Sequence, residues 1–160
     1  MKNLYLMRHA KSDWTNDIVD DSDRVLNYIG HKQARIVAEE INKKNIKFDT
    51  IICSPVKRAQ QTAEIIKNNT NFEKEIIEKQ CFYFSNIKEV IQVIKNLDDN
   101  ISTPLLIGHN PIWSKLVNLL SKSNIYLDTA NLVALTTNAN SWKDADTFQL
   151  DFIIKPQNLM

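Results

Sequence analysis

Arg8 and His9 follow directly on the apolar run Leu4-Tyr5-Leu6-Met7. A short apolar strand ending in an arginine and a histidine carries both side chains to the carboxyl edge of a sheet, where open α/β folds bind ligands. A guanidinium fork binds two phosphate oxygens at once and keeps its charge near neutral pH, and a neutral imidazole is a nucleophile toward phosphorus. The pair is therefore suited to holding and attacking a phosphoryl group. An isolated Arg-His pair is more often surface decoration, but two further segments repeat the pattern of a strand followed by a polar loop. They are Ser54-Pro55-Val56-Lys57-Arg58-Ala59-Gln60-Gln61-Thr62 and Gly108-His109-Asn110-Pro111.

Phosphoryl transfer asks a protein for positioning and for positive charge on the transferring oxygens. The chain has four arginines, Arg8, Arg24, Arg35 and Arg58, and two of them fall in these segments. Arg8 and Arg58 are assigned to a phosphate clamp, with His109 as a third donor and His9 as the nucleophile. His9 must be unprotonated to attack, and cationic neighbours lower its pKa in that direction. Its other ring nitrogen then needs a fixed acceptor, most simply a backbone carbonyl. The scheme calls for no metal and no cofactor, and the sequence offers no carboxylate or histidine cluster to hold a metal. Asn110 is a candidate substrate-binding residue through its backbone N–H. Lys11 and Lys57 could widen a positive rim, although solvated surface is the commoner role of a lysine.

The elements that would position these residues alternate. Leu4 to Met7 reads as a first strand and Asp13 to Asn27 as an irregular polar loop, with Asp23-Arg24 a candidate ion pair ordering it. From Gly30 the apolar positions Ala34, Ile36, Val37, Ala38 and Ile41 recur at helical spacing. Phe48 to Cys53 reads as a doubly covered strand, with Cys53 as core packing. Ser54-Pro55 suits a helix start before Lys57 to Asn68. A short strand is expected around Glu75 to Ile77, a helix over Asn86 to Leu97, a central strand over Pro104 to Gly108 and a helix from Ile112 to Leu120. Asn131 to Thr137 and Thr147 to Ile154 alternate like two antiparallel or edge strands. The fold expected is a three-layer α/β/α sandwich with a mainly parallel central sheet, as a single domain over 1–160.

The three segments, in this order and at comparable spacing, resemble the histidine phosphatase superfamily of phosphoglycerate mutases, acid phosphatases and small phosphohistidine phosphatases. Ala10 stands where most of that superfamily has glycine, so the resemblance implies a phosphate seated slightly differently. The string Arg8-His9-Ala10-Lys11-Ser12, with Asp23-Arg24-Val25-Leu26 and Gly30, is similar to the short SixA-type phosphohistidine phosphatases. The resemblance implies a phosphoglycerate mutase-like core without the cap that mutases insert between Thr62 and His109, and Ser12 as a residue facing the phosphate. It also raises the question of a general acid, for which Glu78 is nearest by order and Asp13, Asp21 and Asp23 are others. Glu78 lies among Glu73, Glu75 and Lys79, outside any motif, and a solvated strand-end charge competes with that role. An imidazole leaving group, with a pKa near ~6.5, needs far less protonation than an alkoxide whose acid lies near ~16.

Composition narrows the field. The chain of 160 residues is 43% hydrophobic, and its 20 basic and 19 acidic side chains leave a formal charge of +1. That balance argues against the field that drives non-specific nucleic-acid binding, and no apolar stretch approaches a membrane span. The apolar run before Arg8 is too short for a signal peptide, and Cys53 and Cys81 read as reduced thiols, so a cytoplasmic protein is expected. The function expected is a metal-independent phosphatase using a phosphohistidine intermediate and acting on phosphohistidine of a signalling or phosphotransfer protein. A small phosphate ester as substrate, and a non-catalytic module that binds a phosphorylated protein, are the alternatives.

Overall fold

The computed structural model describes residues 1–84 and 86–160, in which six strands form one sheet in the order β3-β2-β4-β1-β5-β6. The strands are β1 (Lys2–Arg8), β2 (Thr50–Cys53), β3 (Ile77–Glu78), β4 (Pro104–Gly108), β5 (Leu132–Thr137) and β6 (Gln149–Ile154). β1, β2 and β3 run parallel to their neighbours on the β4 side, whereas β5 is antiparallel to both β1 and β6. Because side chains alternate along a strand, β1 sends Tyr5 and Met7 into one core and Leu4 and Leu6 into the other.

Two helices cover each face. On one, α1 (Tyr28–Lys43) buries Ala34, Val37, Ala38 and Ile41, and α2 (Lys57–Asn69) buries Ala59, Ala63 and Ile66. On the other, α3 (Ile87–Lys95) contributes Val90 and Ile94, and α4 (Ile112–Ser121) contributes Trp113, Leu116, Val117 and Leu120. Asn27 and Asn86 start α1 and α3 by accepting from Gly30 N and Glu89 N, satisfying donors that a helix N-terminus leaves orphaned. The result is the expected α/β/α sandwich. Among the described residues between α2 and β4 the elements are β3, a 3₁₀ turn at Gln80–Phe82 and α3, and none of them forms a cap domain over the carboxyl edge.

Three local expectations change. β3 lies at Ile77–Glu78, because pairing with Ile52 and Cys53 of β2 sets its register. The segment after β1 is more ordered than an irregular loop: Ser12 bridges Leu26, Asp13 N donates to Val25 O at 2.8 Å, and a 3₁₀ turn forms at Asp21–Asp23. Arg24 pairs with Asp21 (3.9 Å), lies 4.0 Å above the Trp14 ring and donates to Asn16 O, whereas Asp23 pairs with Lys57 at 3.6 Å. The ordering role of Arg24 thus uses Asp21 in place of Asp23. Among the described residues, no helix is long and apolar enough to cross a membrane.

Candidate active site

The parallel strands β1, β2 and β4 end side by side, with Arg8 beside Gly108 and Cys53 beside Ile107. The residues that follow each strand end, His9, Ser54 and His109, therefore converge on one edge. Backbone bonds set the convergence: His9 N donates to Gly108 O and Ser54 N to Ile107 O.

The chain has two glycines, and both allow close approach at this edge. A Cβ on Gly30 would lie 2.0 Å from Lys11 O, so only glycine lets α1 lie against the loop after His9. A Cβ on Gly108 would fall 2.4 Å from the fully buried Trp113 ring, immediately before His109.

His9 is buried, and its Nδ1 lies 2.7 Å from Ala10 O. With a proton on Nδ1 donated to that carbonyl, Nε2 keeps its lone pair. Burial, together with Arg58 and Arg8, pushes the His9 pKa down to about 4, against the opposing pull of Ala10 O and Asp21. The His109 ring centre is 5.0 Å from that of His9. Its Nε2 is 2.8 Å from Ser54 Oγ, and burial, with His9 and Arg58, pushes its pKa down to about 3. Both rings are thus neutral at pH 7.

Arg58 is buried at the start of α2. Its two terminal nitrogens donate to Asp21 O (2.8 Å) and Asp21 Oδ2 (3.0 Å), and Tyr83 Oη donates to the same carboxylate oxygen. Arg8 donates to Leu127 O at 3.1 Å and reaches Tyr126 Oη at 3.4 Å. Arg8 Nε and His109 Nδ1 are buried without a hydrogen-bond partner among the described residues. Buried polar atoms are nearly always paired, so such orphans mark a place where a partner belongs. Cys53 is fully buried, and burial with Glu78 and Glu64 pushes its thiol up to about 12, which makes it an inert core group.

The structure brings Arg8, His9, Arg58 and His109 to one edge, with Asn110 next to His109. The Asn110 side chain is a strut, its Nδ2 donating to Leu127 O and its Oδ1 accepting from Ser114 N and Oγ, which leaves the backbone N–H as the group it could offer a substrate. Ser12 is buried, and its backbone closes the loop against Leu26 and Asn27. Glu78 is exposed at the end of β3 and accepts from Gln60 Nε2 at 2.7 Å, while the carboxylate on Arg58 is that of Asp21. Ala10 is wholly buried in the core under α1 and α2, so its methyl packs inward, and its N–H donates to Thr62 Oγ1. The extra methyl that distinguishes alanine from glycine here belongs to the core.

Ser54 and Tyr83 complete the site without having been singled out. Ser54 lies in the motif that carries Arg58, but it reads there as a helix start. In the structure Val56 occupies that capping position and the Ser54 hydroxyl serves His109. Tyr83 stands in no motif, and only the tertiary fold brings it to Asp21.

The family model described as histidine phosphatase superfamily (branch 1) matches residues 4–81. An uncharacterized chloroplastic protein of Arabidopsis thaliana is 27% identical over 90% of this chain and 70% of its own length. An uncharacterized protein of Mycobacterium tuberculosis is 30% identical over 72% of this chain and 70% of its own length. Among solved structures, the protein histidine phosphatase SixA complexed with tungstate superposes with a TM-score of 0.87 at 20% identity, covering 99% of both chains.

Proposed function

The chain belongs to the histidine phosphatase superfamily and is a phosphatase, and from that premise we propose that it works through a covalent phosphohistidine on His9 and removes phosphate from phosphohistidine carried by a protein. The observation that carries the mechanism is the hydrogen bond from His9 to Ala10 O, which leaves Nε2 as an unprotonated nucleophile between two arginines.

In the first step the His9 Nε2 lone pair attacks phosphorus in line, and the bond from phosphorus to the leaving group breaks with its electron pair on the leaving atom. Arg8, Arg58 and His109 hold the equatorial oxygens, where charge spreads in the loose transition state. His109 can do so through Nδ1 when Ser54 donates to its Nε2. In the second step water attacks, the P–Nε2 bond breaks, and phosphate leaves as the electron pair returns to His9. Each step as written uses side chains of this chain and, in the second, a water molecule, and calls for no metal.

A protein substrate is supported by the shape of the edge. No cap closes over it, and three exposed aromatic side chains surround it. Tyr126 reaches Arg8, Phe84 lies on Tyr83 with ring centres 4.2 Å apart, and Trp14 lies under Arg24. Exposed apolar groups gathered around a site favour contact with another macromolecule. An uncapped edge also lacks the lid with which an enzyme encloses a small polar substrate.

The test compares kcat/KM for a histidine-phosphorylated protein and for a sugar phosphate, with and without EDTA. A large preference for phosphohistidine, unchanged by chelator, is expected. A preference for the sugar phosphate would favour the small-ester reading, and restoration of chelated enzyme by a divalent metal would overturn the metal-free scheme.

A further inference from the structure

Beside Arg58 a groove of ≈ 470 Å³ runs along the edge, lined by Asp20, Asp21, Ser22, Pro55, Val56, Gln80, Tyr83 and Phe84. Its charged lining residues are both acidic. An acidic wall next to a phosphate clamp is unfavourable for a nucleotide or a sugar bisphosphate, whose remaining phosphate would face like charge. Tyr83 and Phe84 give the groove an aromatic wall, and Phe84 is 75% exposed, so part of that wall lies open.

The Asp21 carboxylate occupies the junction of groove and clamp. Its Oδ2 takes hydrogen bonds from Arg58 and Tyr83, while among the described residues Oδ1 has only the long 3.9 Å contact with Arg24 Nε. Although burial opposes it, the hydrogen bonds from Tyr83 and Arg58 and the nearby Arg58 charge hold the Asp21 pKa below the usual carboxylate range. It is ionised at neutral pH and has no proton to give. That makes it a poor acid for an alkoxide and a good partner for a cation.

We propose that Asp21, with the aromatic wall of Tyr83 and Phe84, is the specificity-determining element that receives a protonated imidazole as leaving group. The inference rests on the phosphohistidine reading above. In a phosphohistidine the nitrogen not bound to phosphorus can carry a proton, which makes the ring a cation. Asp21 Oδ1 accepts a charge-assisted hydrogen bond from that N–H, and the aromatic faces favour the cationic ring. An adjacent carboxylate raises the pKa of the substrate ring, so more of it is protonated at neutral pH. When His9 attacks, the P–N bond breaks with its electron pair on the departing nitrogen. The imidazole leaves neutral, keeping the proton held toward Asp21. No proton has to be transferred in this step, which accounts for a site whose nearest carboxylate is ionised.

The measurement is the ratio of kcat/KM for a histidine-phosphorylated peptide to kcat/KM for p-nitrophenyl phosphate, whose phenolate leaves without a proton and is repelled by a carboxylate. Asp21→Asn is expected to lower this ratio by about tenfold or more, the scale of a lost charge-assisted hydrogen bond. Phe84→Ala, a change at an exposed position that leaves the core intact, is expected to lower it in the same direction. The wild-type advantage of the phosphohistidine peptide should also fall as pH rises and its ring deprotonates. The groups facing Asp21 are Arg24, Arg58, Tyr83, His9 and His109, with the His9 and His109 pKa values well below that range. A ratio that stays within about twofold in both variants, because the two substrates lose activity together, would overturn the inference and leave Asp21 as a support for Arg58. Wild-type enzyme inactive on phosphohistidine but active on p-nitrophenyl phosphate would instead overturn the phosphohistidine reading itself.

Discussion

His9 and Ala10 are joined by a hydrogen bond within the chain itself, from Nδ1 of the ring to the carbonyl of the next residue at 2.7 Å. The same Ala10 is fixed from the other side, because its N–H donates to Thr62 Oγ1 and Thr62 in turn donates to Arg58 O. His9 and Arg58, the proposed nucleophile and clamp, are therefore tied through one alanine backbone and one threonine hydroxyl. The orientation of the His9 ring is built into backbone geometry and needs no separate carboxylate to hold it.

From this arrangement His9→Ala is expected to abolish turnover while leaving the fold intact, since the ring's bond to Ala10 O is local and the backbone bonds at this edge, His9 N to Gly108 O and Ala10 N to Thr62 Oγ1, do not use the side chain. In wild-type enzyme, rapid quenching without acid should trap a phosphoenzyme that is labile to acid and stable to base. Mass spectrometry of the trapped species should place the phosphate on His9. Phosphate on a serine or cysteine would overturn the assignment.

Arg58→Lys is expected to lower kcat/KM by about tenfold to a hundredfold, and Arg58→Ala by more. The two terminal nitrogens of Arg58 donate to Asp21 O and Asp21 Oδ2, which fixes how the guanidinium faces the edge. An ammonium is a point charge on a flexible stem and cannot reproduce that planar, two-point hold. Steady-state kinetics with p-nitrophenyl phosphate measures the loss. A lysine variant within about twofold of wild type would show that the fork geometry is immaterial to phosphate binding.

The residues that were legible in the sequence are those a strand end positions directly. Arg8, His9 and His109 follow apolar runs that form β1 and β4, and Arg58 opens the helix that follows β2, so local pattern suffices to place all four. The carboxylate was harder to place because its position depends on loop closure. Asp21 was one of several acidic residues after β1, and it is selected by Arg24 stacking on Trp14 and by Tyr83 arriving from beyond β3. Glu78 was nearest by order, but its position opposite Cys53 in β3 directs it to Gln60 of α2. Glu78→Gln should accordingly leave kcat/KM for both phosphohistidine and p-nitrophenyl phosphate within about twofold of wild type. A selective loss on an alcohol ester would return Glu78 to the chemistry.

The two site histidines also make stability depend on pH. In the unfolded chain each takes up a proton near pH 6.5, whereas in the folded protein burial and cationic neighbours lower His9 to about 4 and His109 to about 3. Above about pH 6.5 both states hold the rings neutral, and their contribution to stability is fully present. As pH falls below that value the unfolded chain binds protons that the folded protein does not, so stability drops progressively until the folded rings protonate near pH 4 and below. The urea midpoint of wild-type protein should therefore fall between pH 7 and pH 4. His109→Gln should show a shallower fall over the same window, because one of the two depressed groups is gone. Activity should follow a different curve from stability. His9 stays neutral down to about pH 4, so kcat/KM for p-nitrophenyl phosphate should show no loss attributable to His9 at pH 6. An NMR titration of the His9 ring centred near pH 6.5 would mean that His9 titrates as an ordinary exposed histidine, contrary to the buried, carbonyl-anchored ring described above.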